Sequence, residues 1–144
     1  MVVSTVICQL KNGKRLLKEQ DHAAALVEFN AALQEIEANP NSLREAWKAA
    51  RKAHRGIGAA AERMGSYEEA LVAMETVLSL SVENNDHSGE TDALGVIADI
   101  YTDMDRLEEA AEYYDRYFTS LQEEDVRTSD SDVKEIVVFE TFAR

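Results

Sequence analysis

The strongest constraint on this chain is a residue spacing that occurs three times. In each occurrence a small residue is followed by an alanine 12 residues later, a large side chain at 16, and two more residues at 19 and 20. The sets begin 45 residues apart (13 to 58) and then 40 apart (58 to 98). The three sets are Gly13, Ala25, Phe29, Ala32, Leu33; Gly58, Ala70, Met74, Val77, Leu78; and Ala98, Ala110, Tyr114, Tyr117, Phe118. Such a period is typical of stacked helical units.

The pattern has a simple physical interpretation. A small residue on one helix allows a second helix to approach closely at the alanine, and the larger side chain fills the space beside the next hairpin. One hairpin cannot bury both of its faces, so hairpins stack. We therefore predict helices over about 3–18, 21–37, 43–64, 67–83, 89–104 and 107–123.

Turn residues agree with these boundaries. Gly65 is expected to end one helix, and Ser66 with Glu69 to form a capping box for the next. Asp105 occupies the equivalent turn of the third unit, and Asp21 is the expected cap in the first. The sequence thus predicts three antiparallel hairpins.

We divide the chain at its polar segment. Residues 1–124 form the predicted helical repeat domain, with hairpins at about 3–37, 43–83 and 89–123, and 125–144 a polar linker with a short terminal element. The residues at 133–143 allow either a strand or a helix. We favour a short helix that covers the apolar face of the third hairpin.

Composition narrows the class of function. The 144 residues are enough for one domain, and the net charge of −13 disfavours nucleic acid and anionic membranes as ligands. No apolar stretch approaches the roughly 20 residues that a membrane helix needs. Cys8 is the single cysteine, which fits a reducing compartment, and we expect a cytoplasmic protein.

The second unit resembles the tetratricopeptide repeat. The resemblance is carried by Gly58, Gly65, Tyr67, Ala70, Leu71 and Leu78. The third unit is similar through Ala98, Ala110 and Tyr114, and the first through Gly13, Ala25, Phe29 and Ala32. The step of about 40 residues is similar to that of longer-repeat members such as the kinesin light chain type. The resemblance covers about residues 3–123.

The resemblance implies an all-α, right-handed superhelical stack with a concave groove, a TPR-like α-solenoid. Such domains bind peptides or helices of other proteins as adaptors or scaffolds and are not enzymes by themselves. We expect this chain to bind another protein in this way. The alternative is self-association as a homodimer, through the end faces of the stack or through the terminal segment. Truncation at 124 would separate the two.

The offsets within each first helix predict the residues that line the groove. They are Ile7, Leu10, Lys14 and Leu17 in hairpin one, Lys52, Arg55, Ala59 and Glu62 in hairpin two, and Asp92, Asp99 and Thr102 in hairpin three, with Asp103 nearby. This groove would be apolar at one end, basic in the middle and acidic at the other end. Family members that hold acidic chaperone C-termini need a cationic clamp, and Asp92 would repel a carboxylate there.

A stripe of basic residues has two interpretations. Arg44, Lys48, Arg51 and Arg55 follow at spacings of 4, 3 and 4, which places them on one side of a helix. The stripe either recruits an acidic segment of a partner or pairs with acidic residues of neighbouring helices.

The sequence predicts no catalytic, metal or cofactor site. His22, His54 and His87 are scattered, and no histidine pair has the helical spacing of a zinc site. Gly56 and Gly58 lie within a predicted helix, where they favour close packing rather than phosphate binding. The aromatic residues of unit three are expected in the core, with Tyr113 the most exposed.

Overall fold

The computed structural model describes residues 1–124, and these are all helix and short turns. Its helices are α1 (Val2–Lys18), α2 (His22–Ala38), α3 (Ala46–Arg63), α4 (Tyr67–Glu83), α5 (His87–Asp103) and α6, which covers 107–124. The predicted all-α stack of three hairpins is confirmed. The terminal segment 125–144, with its predicted cap, lies outside the described residues.

Two helices begin two or three residues away from their predicted starts, and α1 and α2 begin one residue away from theirs. α3 begins at Ala46 rather than 43, because Glu45 adopts a left-handed backbone (φ 54°) that a helix cannot contain. Arg44 therefore lies in the turn before α3 and not on its basic face. α5 begins at His87 rather than 89, because the Asp86 carboxylate accepts a hydrogen bond from the Gly89 amide at 3.1 Å.

The hairpin turns share one hydrogen-bond pattern. After α1, α3 and α5, an amide donates to the carbonyl five residues earlier, over 2.9, 2.8 and 2.9 Å. The three pairs are Asp21 to Leu16, Ser66 to Ala61 and Arg106 to Tyr101. This bond closes a helix when the preceding residue is left-handed, as Gln20, Gly65 and Asp105 are.

The caps of the second helices differ. Asp21 caps α2 as predicted, since its Oδ1 accepts from the Ala24 amide at 3.3 Å. The capping box predicted at Ser66 and Glu69 is wrong, because the Ser66 side chain makes no capping hydrogen bond. Glu68 and Glu69 still place negative charge in the first turn of α4, where the helix dipole favours it.

Small residues set the distances between helices as the spacing predicted. A Cβ added at Gly58 would lie 2.7 Å from the Met74 Sδ, too close for any real side chain. Ala25, Ala70 and Ala98 are completely buried. Consecutive helices pack together along the chain, and α1 also contacts α3. In the first two hairpins the second helix thus fits against the small residue of the first, with Phe29 against Gly13 and Met74 against Gly58.

Candidate partner-binding groove

A cavity of about 520 Å³ opens between α1 and α3. Its lining contains seven of the predicted groove residues: Ile7, Leu10, Lys14, Leu17, Lys52, Arg55 and Ala59. It also contains Lys11, Phe29, Arg51 and Gly56. The volume falls in the range of typical ligand sites, and the mixture of apolar floor and basic rim suits a peptide segment.

Phe29 forms the floor of this cavity. Its ring lies against two glycines, Gly13 of α1 and Gly56 of α3, and only 2% of the residue is exposed. A Cβ at Gly13 would lie 2.6 Å from the Phe29 Cε1, and one at Gly56 would overlap the ring. The aromatic ring thus connects hairpin one to hairpin two and fixes the separation of α1 and α3.

The groove offsets did not include Lys11, Gly56 or Phe29. Lys11 could have been found, because Ile7, Lys11 and Lys14 follow at helical spacings of 4 and 3 and share one side of α1. The contact between Phe29 and Gly56 could not be predicted from helical spacing, because it joins residues of different hairpins.

The basic stripe is largely paired within the protein. Arg51 Nε lies 3.3 Å from Asp86 Oδ2, an ion-pair distance without hydrogen-bond geometry, and Arg55 Nε donates to Asp92 Oδ2 at 2.8 Å. Lys48 lies 3.1 Å from Glu45. The two arginines join α3 to the start of α5. Of the two interpretations of the stripe, pairing with acidic residues of neighbouring helices therefore applies to Arg51 and Arg55.

The predicted acidic end of the groove lies apart from the cavity lining. Glu62 is half-buried, and burial raises the pKa of its carboxyl, with Asp103 and Asp99 raising it further. Asp99 accepts a hydrogen bond from the Tyr114 hydroxyl, and the Thr102 hydroxyl donates to the Ala98 carbonyl at 2.9 Å. Glu62, Asp99 and Asp103 are therefore electrostatic neighbours that disfavour further negative charge.

The aromatic residues of the third hairpin are only partly in the core. Tyr101 is buried and stacks with Tyr113 at a centroid distance of 5.5 Å. Phe118 is 57% exposed, so the prediction that Tyr113 would be the most exposed of the group is wrong. The reason is that Tyr113 packs on the buried ring of Tyr101, whereas Phe118 contacts Tyr117 on the surface of α6.

The described part of the chain offers no metal site. No group of three or more histidine, cysteine or acidic side chains within 1–124 is placed to hold an ion. Among the helices of that range, none has the length and apolar character needed to cross a membrane.

Comparison with known proteins agrees with this architecture. The sequence model of the tetratricopeptide repeat matches residues 48–123, which is slightly more than half of the chain. The chain belongs to the tetratricopeptide repeat family. The match includes the second and third hairpins of this tetratricopeptide repeat (TPR) domain, while the cavity also uses the first.

Two further matches extend the comparison to the first hairpin. The chain is 38% identical over 117 residues to the Arabidopsis thaliana protein FLUORESCENT IN BLUE LIGHT, chloroplastic. That alignment covers 81% of this chain and 35% of the relative, so the chain spans about a third of that protein. The crystal structure of the TPR domain of Arabidopsis FLU matches with a TM-score of 0.76 and 35% identity, over 85% of this chain and 98% of that one.

Membership of the family establishes the general class of function. TPR domains bind other proteins, and the fold serves as a scaffold for interactions rather than typically as a catalyst. The TPR domain described here is therefore a protein interaction module.

Proposed function

We propose that this TPR domain is an adaptor that holds an extended or helical segment of another protein in the groove between α1 and α3. The observation that supports this proposal is the cavity of about 520 Å³ with its apolar floor. Ile7, Leu10 and Leu17 supply apolar contact, and the basic rim supplies charge.

The floor is suited to this role because it is closely packed. Phe29 is enclosed by Gly13 of α1 and Gly56 of α3, and only 2% of the residue is exposed, so close packing restricts its side chain. A preformed apolar surface reduces the ordering cost of binding. A partner segment would need to order only itself.

A matched pair of exposed residues tests the proposal. Ile7 lines the cavity and is 44% exposed, whereas Val27 is 68% exposed and lines a separate shallow depression beside α2. Ile7→Glu would place a charge over the apolar floor, and Val27→Glu is the control with the same chemistry. Neither substitution is expected to change the thermal midpoint, because neither side chain is buried.

The measurement is quantitative affinity purification with mass spectrometry on the wild type and both variants, followed by titration of the purified partner. We expect the partners retained by the wild type and V27E to be lost with I7E, with at least about a tenfold fall in affinity. Equal retention by all three proteins would contradict the groove as the binding site.

Self-association is the second candidate function. Leu107 and Phe118 of α6 are 61% and 57% exposed, and an apolar end face of a repeat stack commonly needs a cover. If a second copy supplies that cover, Phe118→Glu will convert a dimer to a monomer in light scattering. A monomer with the unchanged chain would reject this alternative.

We propose that the protein is located in a reducing compartment, and that this compartment is the cytoplasm, as expected from the sequence. The relative in Arabidopsis is named as chloroplastic, which makes the chloroplast the competing location. Cell fractionation of the native protein distinguishes the two.

A further inference from the structure

The rim of the cavity carries three lysines that have no acidic partner among residues 1–124. Lys11, Lys14 and Lys52 are exposed and line the opening. Within residues 1–124, none of the ion pairs involves any of them. The same chain has 28 acidic residues against 15 lysines and arginines, so carboxylates for pairing are abundant elsewhere.

The neighbouring arginines differ from these lysines. Arg51 and Arg55 are held by Asp86 and Asp92, so their charge is largely offset and their guanidinium groups are oriented toward α5. The positive charge that an incoming segment meets is therefore that of the lysines. A lysine ammonium is a compact point charge and does not demand the bidentate geometry of arginine.

The charge of the groove also changes sign along its length. Glu62 is close enough to Asp99 and Asp103 for both to raise its pKa, and Arg55 acts on it in the opposite direction. The basic opening over α1 and α3 is thus followed by an acidic region toward α5. A ligand that is acidic throughout its length would be repelled at this second region.

We propose that the groove selects a partner segment whose apolar side chains are flanked by aspartate or glutamate side chains, with the acidic part over Lys11, Lys14 and Lys52. The part of the segment that extends toward α5 is neutral or basic. This inference rests on the proposed groove function and deepens it by naming the chemistry of the segment. It concerns side-chain carboxylates and does not require a free C-terminus.

The test uses synthetic probes and the full chain. The probe is a fluorescein-labelled peptide of about 14 residues, acetylated and amidated, with leucines at helical spacing and glutamates in its first half and lysines in its second. A second peptide replaces the glutamates with glutamines, and a third exchanges the two halves. Fluorescence anisotropy gives the affinity of each at low salt and at about 0.5 M salt.

Two variants make the test specific. K11Q/K14Q/K52Q removes the unpaired lysines, and K18Q/R44Q/R116Q removes the same amount of positive charge from residues outside the cavity lining. The two triple variants have the same net charge, so a general electrostatic effect would change the peptide affinity of both variants equally.

We expect the glutamate probe to bind about tenfold more tightly than the glutamine probe at low salt, with the preference reduced at high salt. The preference should disappear in K11Q/K14Q/K52Q and persist in K18Q/R44Q/R116Q. Equal affinities for the glutamate and glutamine probes, or equal losses in both triple variants, would overturn the inference. If both probes bind equally and both are lost with I7E, the groove function stands while its preference for acidic segments is refuted.

Discussion

At the scale of single residues, two glycines and one aromatic ring determine the shape of the groove. Phe29 occupies the space left by the missing side chains of Gly13 and Gly56, which belong to different hairpins. Alanine at either position would favour helix by about 1 kcal/mol but would collide with the ring. The balance of these two effects is measurable.

Gly56→Ala is expected to lower the free energy of unfolding by about 1–2 kcal/mol, because the overlap with Phe29 exceeds the gain in helix propensity. In a Phe29→Leu background, the same change should be neutral or stabilising, since the shorter side chain leaves room for a methyl group. Urea unfolding of the four proteins of this cycle measures the coupling. Equal costs of G56A in both backgrounds would show that the ring does not set the spacing.

His54 gives the domain a specific pH response. Burial lowers the pKa of its imidazole, and the nearby Glu37 opposes this only in part. The unfolded state therefore binds more protons than the folded state as pH falls through the ordinary histidine range near 6.5. Stability should decline from about pH 7 toward pH 5, and His54→Gln should flatten that part of the curve. A thermal-midpoint profile with the same slope in wild type and H54Q would contradict this assignment.

At the scale of elements, helix starts are determined by a few polar side chains. Asp21 and Asp86 both accept a capping hydrogen bond, but only Asp86 also lies beside an arginine, Arg51. The two aspartates therefore form a natural comparison between a cap alone and a cap that also joins two hairpins.

Asp21→Ala should cost about 1 kcal/mol, and Asp86→Ala about 2 kcal/mol, because the latter also leaves the partly buried Arg51 without its partner. Asp86→Asn retains a capping oxygen and should fall between them. Chemical denaturation of the three variants provides the comparison. If D86A costs no more than D21A, the ion pair contributes nothing to joining α3 and α5.

Most helix boundaries could be predicted from local signals. Gly65 and Asp105 indicate turns, and the small residues at 58 and 98 indicate the helix crossings, because these are properties of one hairpin. The start of α3 could not be predicted, since nothing in the sequence around Glu45 demands a left-handed backbone. That conformation moves Arg44 off the helix and shortens the basic stripe that spacing alone had extended to it.

At the scale of the whole molecule, the three hairpins are not equivalent. The spacing used to predict the groove residues was the same for every hairpin, and the structure shows that the hairpins differ. The first and second hairpins together enclose the cavity, whereas Asp92 and Asp99 of the third are engaged with Arg55 and Tyr114. The step of 45 residues between the first two units differs from the step of 40 that follows. Contacts between hairpins depend on such differences. A repeat pattern therefore predicts that the hairpins stack better than it predicts which residues line the groove.

The distribution of charge follows from the same arrangement. A chain with net charge −13 would be expected to present a negative surface throughout, yet lysines surround the opening between α1 and α3. Acidic residues lie near Glu62, one turn of α3 beyond Ala59 and the cavity. The whole domain thus presents an asymmetric groove, which would favour one direction of a bound segment over the other.

In the proposed function, a partner segment binds between α1 and α3. The most direct test of this binding is a heteronuclear NMR titration of the full chain with the segment identified by affinity purification. We expect the largest amide shift changes at Leu10, Lys14, Lys52 and Ala59, and no change at Val27 and Met64. Changes confined to the region of Val27 and Met64, or to α6 around Phe118, would contradict binding between α1 and α3.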